Sequence, residues 1–182
     1  MSNFIDQKIK LAIDGAEKLL NKYEISIAPV DVEKIAGDMG IEVSRMKFSK
    51  DEISGAIKIK GKSGNPAIAV NEDHCKERQR FTIAHEIGHF ILHSIDNFHI
   101  DSTEAVYFRD ANATSSTTNI KEVQANQFAA ELLMPKSMIV SDLQGGYKLN
   151  NSDDDVQIIA RLAKKYNVSS QAMSKRIGNL VA

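Results

Sequence analysis

Apolar residues recur at three- and four-residue steps near the start of the chain, as Ile5, Ile9, Ala12, Ala16, Leu19 and Tyr23. That period predicts a helix over residues 4–23 with one buried face. Pro29 interrupts it, and Asp31 then stands where it can cap a short helix carrying Val32, Ile35, Ala36 and Met39, stopped by Gly40. The segments "IEVSRMKF", "SGAIKIKG" and "PAIAV" are short, rich in Ile and Val, and separated by Gly, Ser, Asn and Pro. They predict a small sheet of about three strands.

A helical period returns over residues 72–94. Residues 95–119, "IDNFHIDSTEAVYFRDANATSSTTN", are polar and hold no sustained period, which predicts a loop. A loop of that length in a compact domain is functional or disordered, and a lid is one such function. "IKEVQANQFAAELLMP" predicts a further helix closed by Pro135, and "PKSMIVSDLQ" another that starts behind that proline. "GGYKLNNSDDD" reads as a linker, and the tail as two helices with a turn near Asn167. The expected fold is α+β, a small sheet packed by several helices and followed by a helical tail. The expected division is 1–145 for the main domain and 146–182 for the tail.

Composition narrows the setting. A chain of 182 residues with 42% apolar and 26% charged residues suits one compact domain with a small appendage. A formal charge of -1 argues against wholesale attraction to nucleic acid or to an anionic membrane. Cys75 is the single cysteine, so no intramolecular disulfide forms, and no apolar run approaches a membrane span. "MSNFIDQKIK" lacks the features of a secretory signal. The expected location is cytoplasmic.

The chemistry concentrates in "FTIAHEIGHFILH", where His85, Glu86, His89 and His93 interrupt an apolar run. His85 and His89, four apart, project from one helix face and can reach one tetrahedral cation. Glu86, about 100° around the helix, can stand beside that cation and take a proton from water. H-E-x-x-H on a helix is a metallopeptidase arrangement. Burying several ionisable groups without partners is costly, and a metal would supply the partner; Gly88 permits a close approach to the helix.

A third ligand must come from elsewhere. Glu122 and Glu131 are nine apart and fall on opposite faces of their helix, so both cannot aim at one ion. Glu122 shares a face with Asn126, which suggests Glu122 as ligand and Asn126 as a hydrogen-bond partner of one ligand histidine. Glu131 is then a solvent-facing or structural carboxylate. His74, His93 and His99 remain rivals for the third position, with His93 expected near the site but better placed as a supporting residue.

"RFTIAHEIGHFILH" followed by "EVQANQFAAELLMP" resembles the ImmA/IrrE family of zinc metallopeptidases, and "APVDVEKIAGDMGIEV" resembles that family's lead-in to its sheet. The resemblance runs over residues 28–136. It implies a zincin-like fold and zinc held by His85, His89 and Glu122, with Glu86 as catalytic base. It also implies cleavage of a helix-turn-helix repressor of a phage, mobile-element or stress-response module, encoded nearby. Relatives often carry a glutamate before the Ala-Asn pair where this chain has Gln124; by helix phase Gln124 points away from Glu122, so the metal site is expected to stand. Tyr107, His99, Arg109 and His93 are candidates to stabilise an oxyanion, and "SGAIKIK" is a candidate edge strand for an extended peptide, with an ordinary sheet strand as the default.

The tail offers a different class of function. Leu162, Ala163, a turn at Asn167, Ser169 as N-cap, then Met173 and Ile177 have the rhythm of a helix-turn-helix, with Lys164, Lys165, Lys175 and Arg176 on it. One reading is a DNA- or protein-binding regulator with a structural or vestigial metal site. The favoured one is a hairpin packed on the main domain, since "DDD" offsets the basic charge.

Overall fold

The computed structural model describes residues 2–50, 52–61, 63–93, 98–101, 117–144 and 154–181. Its elements are α1 (Ser2–Lys22), α2 (Val32–Asp38), β1 (Glu42–Met46), β2 (Gly55–Lys58), β3 (Ala67–Asn71), α3 (Lys76–Leu92), β4 (Phe98–Asp101), α4 (Thr117–Leu133), α5 (Lys136–Gln144), α6 (Asp154–Tyr166) and α7 (Ser170–Val181). This is the α+β class the sequence predicts.

Local chemistry explains the lead-in. Asp31 accepts a hydrogen bond from Lys34 N at 3.0 Å and opens α2. Gly40, at φ +75, lets Ile41 N–H turn back to Ala36 O at 2.9 Å and sends the chain into β1.

The sheet order is β1-β3-β2-β4, with β1 and β3 parallel and the other pairs antiparallel. It has four strands rather than about three, because Phe98–Asp101, inside the segment expected to be a loop, pairs with β2. That pairing makes "SGAIKIK", which contains β2, an ordinary sheet strand flanked on both sides and not the candidate edge; the outer strands are β1 and β4. Main-chain register follows from one bond. Asn71 N–H donates to Ser54 O at 2.9 Å, so Ser54 and Asn71 form a hydrogen-bonded antiparallel pair. Alternation then turns the N–H and C=O groups of Gly55 and Ile57 toward Asp101 and His99. The main-chain groups of Phe98 and Ile100 face away from the sheet.

α3 crosses one sheet face, where Ile57, Ile68 and Val70 share the buried core with Ile83, Ala84 and Ile87. At Gly55 an added Cβ would stand 2.4 Å from Thr82 Cγ2, so the glycine lets helix and strand close up. Behind α3 lie α4 and α1, and Gln124 joins these two by donating to Lys8 O at 2.9 Å.

α6 and α7 are fastened to this body. Tyr166 is fully buried and its hydroxyl donates to Asp142 at 2.9 Å, which also holds Lys165 at 2.5 Å. Arg80 of α3 donates to Asn167 O at 3.2 Å and to Val30 O at 2.9 Å. Ser169 caps α7 through Ala172 N at 3.1 Å. Arg176, only 7% exposed, donates to Met134 O at 3.0 Å and pairs with Glu131. Glu131 also accepts from Lys136 N at 2.9 Å. It is therefore a structural carboxylate and not a solvent-facing one. Two of the four basic residues of the DNA-binding reading, Lys165 and Arg176, thus serve internal contacts.

The Arg176 pair carries a stability prediction. Arg176→Leu leaves Glu131 buried beside an apolar group, which costs about 3–5 kcal/mol. A drop of that size in the unfolding free energy from urea denaturation is expected, and adding Glu131→Gln should recover part of it. A single variant as stable as the parent would show that the pair does not clamp α7.

Candidate metal centre

The local sequence of α3 buries its own polar groups. Apolar neighbours on most sides leave His85, Glu86 and His89 at 1%, 0% and 1% exposure. Gly88 sits against Phe128 of α4, whose ring and Cβ would be 3.1–3.2 Å from a Cβ placed there. The close approach brings Glu122 of α4 over the two histidines. His85 Nε2 is 3.0 Å from His89 Nε2, and the two nitrogens are each 3.3 Å from an oxygen of Glu122.

Those separations fit a cation. A tetrahedral zinc with bonds of about 2.0–2.1 Å needs neighbouring ligand atoms about 3.3 Å apart. Among the described residues, His85, His89 and Glu122 are the set of His, Cys, Asp or Glu whose donor atoms converge in this way. Of the rivals, His74 lies in the turn before α3, where its carbonyl accepts from Gln79 at 2.8 Å. His93 caps the C-terminus of α3 in an extended conformation, and its Nε2 lies 3.2 Å from Lys121 O.

Proton positions also suit metal binding. His85 Nδ1 is 2.9 Å from Asn126 Oδ1, an oxygen that can only accept. The proton is therefore on Nδ1, and the Nε2 lone pair faces Glu122 and His89. Burial pushes the His89 imidazole down to about 4, against an opposing pull from Glu122, so it is neutral at neutral pH. Burial raises the Glu122 carboxyl, but the His85, His89 and His99 imidazoles around it outweigh that and hold the group well below the usual carboxylate range. An anionic carboxylate and neutral imidazoles are the forms that ligate a cation.

His99 is the residue whose position the sequence could not supply. β4 sets its Nε2 3.1 Å from Glu122 Oε1 and its Nδ1 3.5 Å from Glu86 Oε2, with its ring centroid 3.9 Å from that of His89. The Glu122 and Glu86 carboxylates push it up to about 10 from 6.5, against desolvation. The only local signal was the brief alternation in "FHID". Tyr107 and Arg109 lie outside the described residues.

The shifts predict a pH dependence for the metal-free protein. The raised His99 value means that its pairing stabilises the fold fully below pH 6.5 and is lost as pH rises toward about 10. The depressed Glu122 value works in reverse: its contribution is present above 4.5 and is lost as pH falls. The thermal midpoint of wild type minus that of His99→Gln should therefore shrink from pH 6.5 to 10. A constant difference over that range would contradict the assignment.

Comparison with known proteins adds to this geometry. Residues 36–178 match the family described as the IrrE N-terminal-like domain, a peptidase family, and the matched span includes α6 and most of α7. The chain is 33% identical over 105 residues to the radiation response metalloprotease IrrE of Deinococcus radiodurans. That alignment covers 58% of this chain and 28% of the relative, so the chain spans well under a third of that protein.

Proposed function

Since the chain belongs to the peptidase family of the IrrE N-terminal-like domain, we propose that it is a zinc-dependent endopeptidase whose substrate is a helix-turn-helix transcriptional repressor encoded nearby. The observation that carries the reading is the triangle of His85, His89 and Glu122 donor atoms at 3.0–3.3 Å with a buried glutamate beside it.

His85, His89 and Glu122 would hold the ion. Bound there, zinc supplies Lewis acidity, which lowers the pKa of water and polarises a carbonyl. The chain's own groups do the rest. Glu86 takes a proton from the attacking water and returns it to the amide nitrogen as the C–N bond breaks. His99, whose two ring nitrogens face Glu86 and Glu122, would place positive charge beside the oxygen on which negative charge develops. Asn126 keeps His85 in the tautomer that ligates. The outward main-chain groups of Phe98 and Ile100 would pair with an extended segment of substrate and carry its scissile bond past His99. In this reading residues 1–145 carry the chemistry and 146–182 brace it, and the activity is cytoplasmic.

The test is to incubate the purified, zinc-loaded chain with the neighbouring helix-turn-helix regulator and read fragments by mass spectrometry. A defined cleavage that a chelator suppresses and zinc restores is expected. An intact regulator with every fragment absent would defeat the substrate assignment, and salt-dependent binding of the chain to duplex DNA would favour the regulator reading instead.

A further inference from the structure

We propose that His93 is a positioning residue that sets the reach of Glu122 into the metal centre. The inference rests on the metal reading above and deepens it. His93 follows the ligand His89 by one turn and ends α3, with its own N–H bonded to His89 O at 3.0 Å. Its backbone there is extended (φ -127, ψ 141), which swings the imidazole out of the helical path and toward α4. Its Nε2 meets Lys121 O at 3.2 Å, the carbonyl of the residue directly before Glu122. A carbonyl can only accept, so Nε2 carries the proton and His93 does not offer that nitrogen as a ligand.

The bond joins the two ligand-bearing segments at a point neither ligand controls. α3 and α4 already meet where Phe128 abuts Gly88 and where Asn126 holds His85. Both contacts lie on or past the C-terminal side of Glu122. The His93 bond holds the helix on its N-terminal side. With restraints on both sides, the backbone that carries Glu122 is held against the histidines. The His93 ring also packs at 5.3 Å, centroid to centroid, from the ring of His89, and so borders the second ligand as well.

Reach separates this role from a general packing role. The Nε2 of glutamine matches imidazole Nε2 in distance from the backbone, whereas the shorter asparagine amide matches only Nδ1. The zinc dissociation constant of the full chain, wild type, His93→Gln and His93→Asn, would be measured by competition with a chromophoric chelator. Cobalt(II) visible spectra of the same proteins would report ligand geometry. His93→Asn should bind zinc about tenfold more weakly or worse, as loss of a partner that orients a ligand does. Its cobalt bands should also change, while His93→Gln stays close to wild type in both. Equal affinities and spectra for the two variants would overturn the proposal while leaving the metal reading intact. Failure of the wild-type chain to bind zinc would overturn both.

Discussion

Glu86→Gln is expected to yield a chain that binds zinc as wild type does but cleaves its substrate about 10²–10⁴-fold more slowly, the usual contribution of a positioned acid–base group. That factor corresponds to about 2.7–5.5 kcal/mol of transition-state stabilisation. Apart from weakening the pairing of His99 with residue 86, the substitution changes little else. Glutamine fills the same fully buried volume, and no metal donor is removed, because the converging set is His85, His89 and Glu122. Glutamine cannot take the proton from water, so both proton transfers in the proposed mechanism fail together. Single-turnover cleavage of the regulator, with zinc content measured on the same sample, makes the comparison. Cleavage at the wild-type rate would remove Glu86 from the mechanism.

Glu122→Ala should do the opposite and strike metal binding first. Zinc at a thousand times its dissociation constant stabilises the folded state by about 4.1 kcal/mol. For a chain of this size each kcal/mol raises Tm by roughly 2–4 °C. Wild type should therefore gain roughly 8–16 °C on loading, Glu86→Gln should gain as much, and Glu122→Ala should lose most of the gain. Differential scanning calorimetry with and without zinc reads all three. An undiminished shift in Glu122→Ala would mean that the ligand triangle has been drawn wrongly.

Much of this was legible in the residues, for reasons that differ by element. Helices announced themselves by period and punctuation: Asp31 and Gly40 bound α2, Pro135 separates α4 from α5, and Ser169 starts α7. Helix phase alone set Glu122 apart from Glu131, and the structure places Glu122 over the histidines and Glu131 against Arg176. What was hidden depended on distant partners. β4 has four residues, too few for a period, and is a strand because β2 accepts it. "SGAIKIK" shows that it is extended but carries no sign of a neighbour on each side. Glu131 is buried because of an arginine 45 positions away. His99 looked like a loop histidine for the same reason, since its place between Glu86 and Glu122 is set by sheet pairing.

Gly88 shows how a motif can carry more than its letters. H-E-x-x-H leaves two positions open, here Ile87 and Gly88. Ile87 is fully buried in the core, and Gly88 has Phe128 a little over 3 Å from where a methyl would stand. A side chain at 88 would act as a spacer, moving the helix that bears Glu122 outward and opening the triangle that the three donors make. In the proposed metal site the second free letter is a gauge block: the size of the ion that would fit is set partly by an atom that is missing from a residue that would never touch it.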